Sequence, residues 1–178
     1  MSGEATLAVQ LMQRCPALTL RSESDDDRAF MADLYASTRE TELAHVPWDA
    51  AAKRAFLHEQ HALQHAHYRA NYVGAEFLVI EAQAQRLGRI YLYRKDGGRE
   101  VRLMDIALLP ERRGQGMGSA LIEALRQIAG ENGWEITLHV EPNNPAMRLY
   151  DRLGFRLIEN RGVYLFLGWN GAVPAATA

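Results

Sequence analysis

The sequence holds a single cysteine, Cys15, among 178 residues. An internal disulfide and a cysteine-rich zinc site are therefore excluded, and such cysteine usage suits a reducing cytosol. Long hydrophobic runs are missing too: no stretch approaches the ~18 apolar residues that a membrane span requires. Leu7-Ala8-Val9-Gln10-Leu11-Met12 is too short and too polar for a secretory signal, and no basic residue precedes it. Charge of one sign is also lacking, since 20 Lys and Arg stand against 22 Asp and Glu, a formal net charge of -2. That balance argues against a general binder of nucleic acid or membrane surfaces, which carries a basic excess. The expectation is a soluble cytoplasmic protein that binds neither. What is present, 48% hydrophobic and 24% charged residues, is enough for one domain with a substantial core.

Residues 1–16 show no clear period and end at Pro16, so they read as a loose N-terminal arm. Residues 17–169 read as a single domain, and the small, polar stretch 170–178 as a frayed tail. Within the domain, alternation at 17–21 predicts a strand, and Ser24-Asp25-Asp26-Asp27 predicts a helix start. Asp49 is placed to cap a longer helix over about 50–70, with Ala52, Phe56, Leu63, Ala66 and Ala70 on one face. Strands follow at 77–81, 89–93 and 101–108, then a helix ending at Gly130, a strand at 135–140, a helix at 145–153 and two closing strands. The order implies a mixed sheet with helices on its faces, without internal repeats.

The chemistry concentrates at Asp105-Ile106-Ala107-Leu108-Leu109-Pro110-Glu111-Arg112-Arg113-Gly114-Gln115-Gly116-Met117-Gly118-Ser119, which passes from strand through turn to helix. Glycines at 114, 116 and 118 allow positive φ and leave no Cβ in the way of a ligand. Successive N–H groups then converge at a helix N-terminus, an arrangement suited to phosphate or pyrophosphate. A Walker-type loop would need a lysine, where this chain has Met117-Gly118-Ser119. A dinucleotide fingerprint would need Gly-x-Gly-x-x-Gly, and the spacing here is Gly-x-Gly-x-Gly. A plain strand-to-helix turn is the remaining alternative. Downstream lies Asn143-Asn144-Pro145-Ala146-Met147-Arg148-Leu149-Tyr150-Asp151-Arg152-Leu153-Gly154-Phe155, which alone would read as an amphipathic helix with a buried tyrosine.

Together, Arg113-x-x-Gly116-x-Gly118 after an apolar strand and the Asn-x-x-Ala-x-x-Leu-Tyr-x-x-x-Gly-Phe pattern resemble the two signatures of the GNAT superfamily of N-acetyltransferases. The resemblance implies an α/β (α+β) fold, a mixed, mostly antiparallel sheet of six to seven strands flanked by about four helices. It implies an enzyme moving an acetyl group from acetyl-CoA to a primary amine of a small molecule or protein, by direct attack through a tetrahedral intermediate. The cosubstrate contacts it implies are Ile106, Ala107 and Leu108 on the strand, Arg113, Gly114, Gln115, Gly116, Met117, Gly118 and Ser119 in the loop, and Asn143, with Asn144 fitting better as a helix cap. Tyr150 takes the place of the proton donor to the departing thiolate, a role its phenol suits.

The base is less defined. Asp105, His139 and Glu141 are candidates on or near the flanking strands, and the histidine departs from the acidic residue familiar in related enzymes; ordered water alone is the alternative. The family's first two helices and their loop shape substrate selection, which points to Arg39, Glu40, Glu42 and Trp48 as pocket walls. His58, His61 and His65 share a helical face and read as a polar surface stripe, with a metal site or an acceptor-pocket lining as alternatives; no metal is expected. A homodimer is suggested by the resemblance alone. The second functional reading is a CoA-binding or sensing domain without turnover.

Overall fold

A computed structural model of the chain describes residues 5–171. The element order is α1 (Leu7–Arg14), β1 (Thr19–Ser22), α2 (Arg28–Arg39), α3 (Ala50–Asn71), β2 (Glu76–Ala82), β3 (Gln85–Arg94), β4 (Glu100–Leu108), α4 (Met117–Asn132), β5 (Glu135–Val140), α5 (Met147–Arg152), β6 (Arg156–Asn160) and β7 (Leu165–Trp169). The seven strands form one sheet in the order β1-β2-β3-β4-β5-β7-β6. Every pairing is antiparallel except β4 with β5. This is the mixed α/β, mostly antiparallel architecture expected. Among the described residues, no helix is long and apolar enough to cross a membrane.

The main core joins Leu121, Ile122, Leu125 and Ile128 of α4 to Ile90, Leu92, Val101, Leu103, Ile136 and Leu138 of the sheet. A second cluster joins Met31 and Leu34 of α2 to Val79 and Ala107. Ala107 of β4 and its neighbour Ile106 thus pack into different clusters, as the period of two along a strand requires.

Three expectations need correction. The segment read as a loose arm carries α1, and its Leu7, Ala8 and Leu11 are buried in the main core. Its free N-terminal N–H groups are satisfied from β2, where the Glu76 carboxylate accepts from Leu7 N at 2.8 Å and Ala8 N at 2.9 Å. The frayed tail read at 170–178 lies outside the described residues beyond Gly171. The second correction concerns α3, which Asp49 Oδ1 caps by accepting from Ala52 N at 2.7 Å. Its buried residues are Leu57 and His61, while Phe56 and Leu63 are exposed, Leu63 by 60%. The helix therefore turns its histidine face inward. α4 also runs past Gly130 and stops where Gly133 takes φ +65°.

Candidate active site

β4 and β5 pair in parallel only from Glu100/Glu135 to Leu103/Leu138. The register of β3 against β4 jumps from Tyr91↔Asp105 to Leu92↔Leu103, so Met104 is an extra, bulged residue. Beyond it the two parallel strands separate. A cavity of about 480 Å³ opens in the gap, bounded by residues 102–107 of β4, by His139 and Val140 of β5 with the following Glu141, and by side chains of α2 and α3.

The glycine-rich loop follows β4 directly. Gly114 has φ +70° and Gly116 φ +84°, and a Cβ built on either meets no atom within 4 Å. The conformation therefore demands glycine while the space beside it stays open. Gly118 has an ordinary φ, and a Cβ there would touch only Leu108 Cδ1 at 4.0 Å. Among the described residues, no group accepts a hydrogen bond from the N–H groups of residues 114–119. Met117, Gly118 and Ser119 form the first turn of α4, so their donors are added to the positive end of the helix. These residues fit a pyrophosphate. The Arg113 side chain does something else: Nε donates to Leu108 O at 2.9 Å and Nη2 to Ser37 Oγ at 3.0 Å, bracing the loop against β4 and α2.

Each base candidate meets an arginine. Asp105 is ion-paired with Arg89. Glu141 is ion-paired with Arg39, which also holds Glu42 at 2.7 Å. His139 Nε2 lies 2.8 Å from Arg161 Nη1. A guanidinium can only donate, so Nε2 is the acceptor and the imidazole proton sits on Nδ1. In that state the ring, stacked 4.8 Å from Phe166, has no lone pair left for a substrate proton.

Tyr150 is buried beside Phe155, at 5.5 Å between ring centroids, and its hydroxyl makes no hydrogen bond among the described residues. Burial, and secondarily the Asp105 charge, push its pKa above the ordinary phenol value. Asn144 lines the cavity, and its Oδ1 accepts from Ala146 N at 2.9 Å ahead of α5; Asn143 is exposed beside it.

A model of the GNAT acetyltransferase domain matches residues 73–157, which takes in β2 to β5, the glycine-rich loop and Tyr150. Over that stretch the chain is similar to the GNAT acetyltransferase domain. Solved structures of the same fold include the PaiA N-acetyltransferase of Thermoplasma acidophilum in complex with coenzyme A, at TM-score 0.63 and 18% identity over 86% of this chain and 98% of that one. The spermidine N-acetyltransferase of Vibrio cholerae with CoA and spermine gives TM-score 0.59 and 22% identity over 88% and 96%. Arabidopsis thaliana Naa50 with the bisubstrate analogue CoA-Ac-MVNAL gives TM-score 0.55 and 19% identity over 86% and 99%.

Of the expected pocket walls, Arg39 lines the cavity and Glu42 is tied to it through that arginine. Glu40 instead borders a separate cleft between α2 and α3, and Trp48 packs on Phe56 with half its surface exposed. The histidine stripe is no outer surface. His61 is buried 5.6 Å from the Tyr35 ring, and burial, the Arg89 charge and its neighbouring histidines pull its pKa down to about 4. His58 bonds Asp33 at 2.9 Å, and His65 faces Glu23 at 3.6 Å. The three do not converge, and no group of three or more metal-binding side chains occurs among the described residues.

Arg89 is the site residue that the sequence reading missed. It is the largest fully buried side chain, at 2% exposure, and lies across from Ala107 on β3. A charged residue inside Leu87-Gly88-Arg89-Ile90-Tyr91-Leu92 was the available signal. Tyr35, Gln64, Tyr68, Tyr72 and Tyr164 of the cavity wall carried no motif.

Burial first, then Arg102 and Arg161, lowers the His139 pKa below its ordinary value. Removing a neighbouring cation favours the protonated ring, so Arg161→Ala is expected to raise it. NMR titration of the imidazole checks this; an unchanged or lower pKa would show that the Arg161 contact does not govern the ring.

Proposed function

We propose that the chain is an N-acetyltransferase that transfers the acetyl group of acetyl-CoA to a primary amine by direct attack. The observation that carries this reading is the parting of β4 from β5 after Leu103 and Leu138, which opens a cavity along the strand that leads into the glycine-rich loop. The loop N–H groups of residues 114–119 and the edge of Ile106, Ala107 and Leu108 would hold the cosubstrate.

In the reaction a bond forms between the amine nitrogen and the acetyl carbon, and the carbon–sulfur bond breaks. The amine must first lose a proton, since an alkylamine with a pKa near ~10 is mostly charged at neutral pH. Asp105 and Glu141 give one oxygen each to an arginine; Asp105 Oδ1 and Glu141 Oε2 take no hydrogen bond among the described residues and can receive the proton directly or through water. Backbone N–H groups of β4 beyond the Met104 bulge can stabilise the developing oxyanion. Tyr150 returns a proton to the departing sulfur.

Coenzyme A release, followed with a thiol reagent across a panel of amines, tests the proposal. Amine-dependent release is expected for at least one acceptor class. Tight CoA binding with no release from any acceptor would instead favour the second reading, a CoA-binding or sensing domain; the arginine beside each base candidate is the observation on its side.

A further inference from the structure

The chain carries a formal net charge of -2, yet three arginines gather at its cavity. Arg39, Arg89 and Arg102 line it against only two carboxylates, Asp105 and Glu141. Both carboxylates are already bound by arginines of the same lining. The partner of Arg102, Glu100, lies outside the lining.

Arg89 points to a ligand. It reaches Asp105 and, at 3.3 Å, Gln64 through Nη2 alone, while Nε and Nη1 are buried without any hydrogen-bond partner. Buried donors in folded proteins are nearly always satisfied, so a guanidinium whose charge Asp105 balances but whose donors lack acceptors at a cavity wall points to a polar ligand. Arg39 and Arg102 bring further donors to the accessible surface. Their side chains are 23% and 22% exposed, and Arg39 Nη2 and Arg102 Nη1 take no hydrogen bond among the described residues. The rings of Tyr35, Tyr68, Tyr72 and Tyr164 complete the wall with flat apolar surface.

We propose, resting on the N-acetyltransferase reading above, that the acceptor is a small amine that also carries a carboxylate, received by Arg39 and Arg102 in the field of Arg89. A polyamine would bring two or more positive charges to a cavity with no carboxylate free of an arginine. The volume, about 480 Å³, is at the lower end of the ~300–1,000 Å³ typical of ligand sites and suits an acceptor of amino-acid size.

The test compares matched pairs in the thiol-release assay with acetyl-CoA: phenylalanine with phenethylamine, leucine with 3-methylbutylamine, and lysine with cadaverine. Spermidine and a short peptide amide form two further arms. The expected result is a kcat/KM on the order of ten to a hundred times higher for the carboxylate-bearing member of at least one pair, from charge-assisted hydrogen bonding. Arg102→Gln should shrink that ratio and leave CoA affinity unchanged. Equal or faster turnover of the decarboxylated amines, spermidine or the peptide amide would overturn the inference while leaving the acetyltransferase reading intact. Should no acceptor release thiol, that reading fails, and calorimetry with CoA present decides the inference separately. Tighter binding of N-acetylphenylalanine than of N-acetylphenethylamine supports it, and equal or absent binding overturns it.

Discussion

Gly116→Val is expected to weaken CoA binding by at least about a hundredfold, or roughly 2.7 kcal/mol, measured by calorimetry. Two effects act together. Gly116 sits at φ +84° as the residue before α4, where a β-branched side chain is strained by about 1–2 kcal/mol. The valine would either keep that backbone at a cost or relax it, turning the N–H groups of residues 114–119 away from a common point. In the first case its methyl groups enter the open space that a pyrophosphate would occupy, since a Cβ there meets no protein atom within 4 Å. Both routes lose the anion. Because no core side chain touches the position, the melting temperature should fall by only a few degrees. Unchanged CoA affinity in a folded variant would refute the loop assignment.

The turn of that loop was legible in the sequence because glycine spacing records backbone geometry directly. The Met104 bulge was not legible at its residue, since a bulge is fixed by the register of two strands rather than by composition. α1 was missed for a related reason. Its burial depends on Glu76, 69 residues away, accepting from Leu7 N, a pairing that no local window contains. The face of α3 was misread because the apolar set Ala52, Phe56 and Leu63 has helical spacing, yet the helix buries Leu57 and His61 instead. Tertiary demand overrode hydrophobicity there: Gln64 and Tyr68 of the inward face line a polar cavity, and Gln64 meets the charge of Arg89. The acceptor side of the site was obscure throughout. The residues proposed for it come from α2, α3, β3, β4, β5 and the loop before β7, and charge pairing among them appears only once the sheet is assembled.

Tyr150→Phe is expected to lower kcat by roughly a hundredfold to a thousandfold, within the range of general acid contributions, with CoA affinity and melting temperature nearly unchanged. The stability half follows from the packing. The ring is buried against Phe155, phenylalanine keeps that contact, and the hydroxyl lost makes no hydrogen bond among the described residues. The catalytic half follows from the proton. Burial disfavours the phenolate, and the Asp105 charge adds to this, so the pKa of Tyr150 rises above the ordinary ~10. The phenol therefore stays protonated through neutral and mildly alkaline solution, ready to meet a thiolate as the carbon–sulfur bond breaks. The sign of the shift sets a second readout: wild-type kcat should show no loss from Tyr150 ionisation as pH rises to ~10. A kcat for Tyr150→Phe within about twofold of wild type, at saturating acceptor and acetyl-CoA, would remove the tyrosine from the proton path and leave water to protonate the sulfur.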